Sequence, residues 1–183
     1  MFEKTLAAHP DAAAFHEIHG LDLELSGAPA EAARAAYERA LALDPRNARA
    51  LAALGLLVLH DDPESALVFF DRAIATDSSD AAPKLQAARA LIATGRSSQA
   101  AERLNALLLE HPSDAEAASL SAELDLEQGI ATQRTLDRAH RGVRFGGGAD
   151  AFDLLSRVHA QRDEPELAER AAERARVLRE ASR

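Results

Sequence analysis

The best claim to chemistry in this chain is the tetrapeptide HEIH, where His16 and His19 lie three residues apart. On a helix that spacing puts both imidazoles on one face, which is how two ligands of a transition metal are often presented. A metal site needs at least a third ligand, and the sequence places none beside them. The other five histidines (His9, His60, His111, His140 and His159) are scattered. A second candidate is FGGGAD at 145–150, whose glycines suggest a phosphate-cradling loop. Such a loop requires a Lys followed by Ser or Thr entering the next helix, with a strand before it, and neither is present. There is no nucleophile elbow and no signature of a Ser/His/Asp enzyme. The carboxylates are numerous but spread at one or two per helical turn, as on a solvated surface. The sequence therefore predicts no catalytic residues, no metal and no cofactor, and packing roles for His16 and His19.

The bulk composition points the same way. Of 183 residues, 47% are apolar and 28% charged, which excludes a disordered chain. Aromatics are only 4%, Ala is abundant, and Val and Ile are sparse, a bias toward closely packed helices and away from sheets. The formal net charge of −9 opposes phosphate backbones, so nucleic acid is not an expected partner. Arg exceeds Lys, as a GC-rich bacterial genome would produce. There is no Cys, hence no disulfide framework. No basic leader precedes an apolar run, and no apolar stretch approaches the roughly 20 residues of a membrane span. These features predict a cytoplasmic location, or a periplasmic one if the chain is part of a longer precursor.

Stepping along the chain, Pro10, Pro45, Ser78, Pro112 and Gly146 punctuate it about every 34 residues, the period of a helix–turn–helix repeat. Each interval is divided again by a breaker: SGAP at 26–29, HDDP at 60–63, TGRSS at 94–98, QGIAT at 128–132 and RDEP at 162–165. Pro29, Pro63 and Pro165 suit the first turn of a following helix. Asp80, Asp114 and Asp150 are expected N-caps. Between the breakers, Leu51, Leu54, Val58 and Leu59, then Ala66, Phe69, Phe70, Ala73 and Ile74, recur at helical spacing. Gly55 is expected to face Ala66, and Ala88 to face Ala100, where helices approach closely.

With these elements in place, the chain resembles the tetratricopeptide repeat family. The residues that carry the resemblance are Gly20, Leu23, Ala33, Tyr37, Ala40 and Pro45 in one unit and Leu54, Gly55, Ala66, Phe70 and Ala73 in the next. Ala88, Leu91, Gly95, Ala100, Leu104 and Pro112 follow, and Leu155, Ser156, Ala168, Ala172 and Ala175 close the series. The resemblance implies an all-α fold, a right-handed α-solenoid of antiparallel helix pairs. It divides 1–183 as a single repeat array: a half-repeat helix at 1–10, then units at 11–46, 47–79, 80–113, 114–148 and 149–183, the last with a C-terminal cap. The fourth unit departs from the pattern, because Arg134 falls where the family has Ala. A shift of one residue puts Thr135, Ala139 and Gly142 at the packing positions instead. A slipped or irregular helix and a soft junction at the three glycines are expected there. Eleven helices result, the first formed by residues 2–9 with Phe2 and Leu6 against Phe15 and Ile18.

The family resemblance also implies that first helices line a groove that binds a peptide or a partner's helix. On that basis the expected groove residues are Glu17, Leu21 and Glu24 in the first unit and Arg49 and Leu56 in the second. Leu85 and Arg89 follow in the third, Glu123 in the fourth, and Asp153 and Arg157 in the fifth. Arg49, Arg89 and Arg157 would anchor carboxylates, unless they pair with neighbouring acids such as Glu123 and Asp153. Family members that clamp the acidic C-terminal tails of chaperones cluster Lys, Asn and Arg in the groove, and that set is lacking here. The function expected is a non-enzymatic protein–protein interaction scaffold whose protein or peptide partner the sequence does not name. The alternative is a regulatory or docking domain of a larger bacterial enzyme, or an envelope assembly factor. Self-association would use the N-terminal edge.

Overall fold

The computed structural model describes residues 12–182, so the helix expected at residues 2–9, with Phe2, Leu6 and Pro10, lies outside the described residues. Ten α-helices and no strand occur among the described residues. They are α1 (Ala13–Leu25), α2 (Ala30–Leu43), α3 (Ala48–Val58), α4 (Pro63–Thr76), α5 (Ala81–Ala93), α6 (Ser97–Glu110), α7 (Ala115–Glu127), α8 (Gln133–Arg144), α9 (Gly148–Gln161) and α10 (Pro165–Ala181). The breakers read from the sequence fall in the turns between them. No described helix is long and apolar enough to cross a membrane. The chain divides after Arg96 into two compact units.

In the first unit α1 packs on α2, α2 on α3, α3 on α4 and α4 on α5. Its interior centres on Ala33, Tyr37, Ala40, Ala50 and Leu54, with Leu23, Leu57 and Phe69 against them. What sets the spacing of each pair is a glycine under a ring. A Cβ added to Gly20 would lie 2.5 Å from Tyr37 Cε1, and one added to Gly55 would lie 2.5 Å from Phe70 Cε1. Gly55 thus lies directly under the Phe70 ring. The ring sits where a side chain on the facing helix would otherwise stand. Phe70 is fully buried and Tyr37 nearly so.

In the second unit α6 packs on α7, α7 on α8, α8 on α9 and α9 on α10, and the first helices α7 and α9 also touch. Its core gathers Ala122, Leu126, Leu136, Ala139, Leu154, Leu155, Val158 and Ala171. The shift expected in α8 is present: Thr135, Ala139 and Gly142 are all buried. The helix is thus slipped but regular in itself, and the glycines after it form a hydrogen-bonded turn. Gly147 N–H donates to the Gly142 carbonyl at 2.8 Å, and a side chain on Gly147 would run into that same carbonyl. In the last pair, Ser156 donates its hydroxyl to the Ala168 carbonyl at 2.8 Å.

Helix ends follow local chemistry. Asp80 accepts from Ala82 N–H and Asp114 from Ala117 N–H, both at 2.9 Å, as N-caps should. Asp150 is not an N-cap: Gly147 holds that place, and Asp150 sits inside the first turn of α9. Pro63 and Pro165 open their helices, while Pro29 stands one residue before α2. The turn after α1 has Gly27 at φ 71°, with Ala28 N–H donating to the Leu23 carbonyl at 3.0 Å. The turn after α9 repeats this arrangement with Asp163 at φ 60°, and Glu164 N–H donates to His159.

Because the Gly55–Phe70 contact leaves no room for a methyl, Gly55→Ala should destabilise. Overpacking costs about 1–3 kcal/mol, which offsets the roughly 1 kcal/mol that Ala gains over Gly in a helix interior. Thermal denaturation should show a lowered Tm, and Gly55→Ala with Phe70→Leu should recover part of the loss. A Gly55→Ala protein at least as stable as wild type would show that the ring does not set the spacing.

Candidate functional site

The ten groove candidates fall on first helices, and the structure sorts them by what each touches. Glu17 is half-buried on α1 and ties α1 to the start of α3. Its carboxylate accepts from Asn47 Nδ2 at 3.0 Å and pairs with Arg49 at 3.5 Å. The Arg49 side chain remains 85% exposed, so this pair carries little stability. Asn47 is held in turn, since its Oδ1 caps α3 by accepting from Ala50 N–H. Leu21 and Leu56 occupy matching places on α1 and α3 and are 50% and 52% exposed. Leu85 departs from expectation: it is 5% exposed and belongs to the interior of α5. Arg89, on the same helix, is half-buried.

Glu24 is exposed and accepts from the Tyr37 hydroxyl at 2.8 Å. The ring that fills the space beside Gly20 thereby also steers a carboxylate of the candidate strip. Burial, then the hydrogen bond to Glu24, then the charges of Glu24 and Glu17 push the Tyr37 phenol well above its ordinary value.

In the second unit Glu123 is half-buried on α7 and Arg157 exposed on α9. Asp153 does pair with an arginine, but with Arg179 of α10, which also reaches Asp150 at 3.2 Å. Arg157 makes no ion pair among the described residues. His16 and His19 are half-buried on α1, and no group of three or more His, Cys, Asp or Glu suited to a metal ion occurs among the described residues. His159 is buried, and its Nδ1 lies 2.6 Å from Glu164 Oε2. That bond, followed by one from Arg162, holds the Glu164 carboxyl below its usual range.

Sequence reading missed the most enclosed charge among these residues. Arg138 is 6% exposed; its Nη1 donates to Asp125 Oδ2 at 2.5 Å and its Nη2 to Asn105 Oδ1. Thr135 donates to the same Asp125 oxygen at 3.0 Å. The signal was present, since Arg138 falls on the face of α8 defined by Thr135, Ala139 and Gly142. A charge on a packing face requires a partner.

Comparison with known proteins places this arrangement. The tetratricopeptide repeat family matches residues 57–124. MamA is 16% identical with a TM-score of 0.76, over 89% of this chain and 95% of that one. PilF of Pseudomonas aeruginosa is 20% identical with a TM-score of 0.82, over 93% of this chain and 78% of that one. This is a tetratricopeptide-repeat fold. YrrB, described as a TPR protein with an unusual peptide-binding site, is 20% identical with a TM-score of 0.75, over 96% and 90% of the two chains. No curated protein matches the chain at a significant level. The all-α solenoid of helix pairs and the family resemblance read from the residues are both borne out by these matches.

Tyr37 is the only tyrosine, so the phenolate absorbance near ultraviolet wavelengths reports it alone. A phenol whose folded pKa is raised contributes stability that is fully present below the unfolded value of about 10. That contribution is lost as the pH climbs toward the folded value. The native protein should therefore show phenolate absorbance only well above pH 10, coincident with loss of helical circular dichroism. Tyr37→Phe should cost about 0.5–1.5 kcal/mol at neutral pH through the lost bond to Glu24 and should flatten the alkaline limb. Ordinary titration near 10 in the folded protein would contradict the Glu24 contact.

Proposed function

We propose that this chain is a non-enzymatic protein–protein interaction scaffold that binds an extended peptide or a partner helix along its first helices. The observation that carries the reading is the pair of exposed leucines at matching places, Leu21 on α1 and Leu56 on α3. Neither is needed for the interior, where Gly20, Leu51 and Leu54 already pack. Water-facing leucines repeated at one position of a stacked unit form an apolar strip. The Glu17–Arg49 pair runs beside it and supplies polar partners for a bound backbone. In the second unit Glu123 and Arg157 also lie on first helices and offer charged contacts of their own. The description of YrrB as having a peptide-binding site is consistent with such a use of the fold. We read 11–46, 47–79, 80–113, 114–148 and 149–183 as the repeats of one array, with no catalytic role for any residue.

The test is capture of partners from a native lysate by the immobilised chain, with the retained proteins identified by mass spectrometry. Leu21→Glu with Leu56→Glu should abolish retention of specific partners while leaving the Tm within about 2–4 °C, because surface substitutions away from the core change stability little. Undiminished capture by that variant would place the binding surface elsewhere. Retention should also survive His16→Gln with His19→Gln.

A further inference from the structure

On the other side of the helix pairs, the second helices α6 and α8 enclose a cleft of about 250 Å³. Asn105 and Leu109 come from α6, and Arg134, Asp137, Arg138 and Arg141 from α8. Residues 134, 138 and 141 follow one helical face, so three guanidinium groups border the same space. We propose that this cleft is a separate binding site that takes a carboxylate side chain of an acidic peptide, with an adjoining apolar residue laid on Leu109. It does not depend on the first-helix strip.

Charge is the first argument. The chain as a whole carries −9, yet this cleft has three arginines against Asp137 at its wall and Asp125 behind it. Asp125 is engaged with Arg138 at 2.5 Å, and Asp137 accepts from Gln133 Nε2 at 2.9 Å. The second argument is the nature of Asn105. Its Oδ1 accepts from both Arg134, at 2.6 Å, and Arg138. An amide oxygen stands where a carboxylate would neutralise Arg134, so that guanidinium is held beside Arg138, whose own charge is met by Asp125, with no carboxylate of its own. Arg141 makes no ion pair or side-chain hydrogen bond among the described residues. The third argument is preorganisation. Arg138 is buried and fixed from two sides, and a guanidinium in such a setting presents its remaining donors without further ordering cost.

The ligand class follows from what surrounds these groups. A planar carboxylate matches the guanidinium fork. Asp137 within the same wall repels a dianion more than a monoanion, which favours a carboxylate over a phosphate. Leu109 is 83% exposed beside the arginines, and an apolar neighbour of the acidic residue would cover it.

The probe is a fluorescein-labelled hexapeptide of alternating Glu and Leu, with the Gln–Leu peptide as control and inorganic phosphate as competitor, read by anisotropy on the full chain. The Glu–Leu peptide should bind, and the Gln–Leu peptide should bind about tenfold more weakly or not at all. Arg134→Gln with Arg141→Gln should weaken the Glu–Leu peptide by about tenfold without lowering the Tm, since both side chains are exposed. Arg49→Gln with Arg157→Gln should leave this binding intact. Side-chain nitrogen resonances of Arg134, Arg138 and Arg141 should shift during the titration. The proposal is overturned by absence of binding, by equal binding of the two peptides, or by binding indifferent to Arg134→Gln with Arg141→Gln. Loss of binding in Arg49→Gln with Arg157→Gln alone would move the contact to the first-helix strip. Displacement by an equal concentration of phosphate would make the cleft a small-anion site instead.

Discussion

The close approach of a ring to a glycine Cα governs how the first two helix pairs are built. With no Cβ at Gly20 or Gly55, Tyr37 and Phe70 lie flush on the facing helix, and the pair closes to a distance that larger residues would prevent. Burying one such ring is worth roughly 1.5–3 kcal/mol. It also fixes the rotation of each helix about its own axis. Once Tyr37 is seated, its hydroxyl stands 2.8 Å from Glu24, and Leu21, one residue after Gly20, is turned toward water. The apolar strip proposed for partner binding is therefore a geometric consequence of where the rings go.

The fourth pair shows what happens when the ring is absent. Ala139 occupies the position of Tyr37 and Phe70, and Gly142 lies against Ser119. Less apolar volume is available, and the register of α8 is secured by polar contacts among Thr135, Arg138, Asp125 and Asn105. A buried ion pair contributes little net stability, because desolvation consumes most of the Coulomb gain. It is costly to break, however, since either partner alone would be left charged in a dry setting. Such a pair selects one register of α8 over its one-residue neighbours, which is the service the ring performs elsewhere.

The two halves of each pair are thus free for different work. First helices expose matching leucines and lightly paired charges, and second helices α6 and α8 gather arginines around a neutral acceptor. An acidic chain that concentrates positive charge at one cleft has a means of attracting carboxylates that its net field would repel. The terminal helix α10 completes the picture at the other extreme. Its outer surface is lined with Glu166, Glu169, Arg170, Glu173 and Arg176, with Arg176 bonded to Glu173 at 2.7 Å.

Much of this was legible in the amino-acid order. The 34-residue punctuation, the breakers and the small–aromatic spacing are local signals, and local signals decide where helices begin, end and turn. They located the turns, the caps at Asp80 and Asp114, the packing role of Tyr37 and Phe70, and the shifted face of α8. What the order of residues left undecided was which side chain meets which across helices. Gly55 lies directly under the Phe70 ring, Leu85 is interior, Asp153 turns to Arg179, and Asp150 lies within a helix because the preceding glycines open it three residues early. The buried Arg138 and its acceptors come from α6, α7 and α8, three segments whose proximity no sequence spacing encodes. Period and propensity act along the chain and survive in a single sequence. Pairing of charges and placement of side chains depend on helix rotation and crossing, which are set only when the packed faces close on one another.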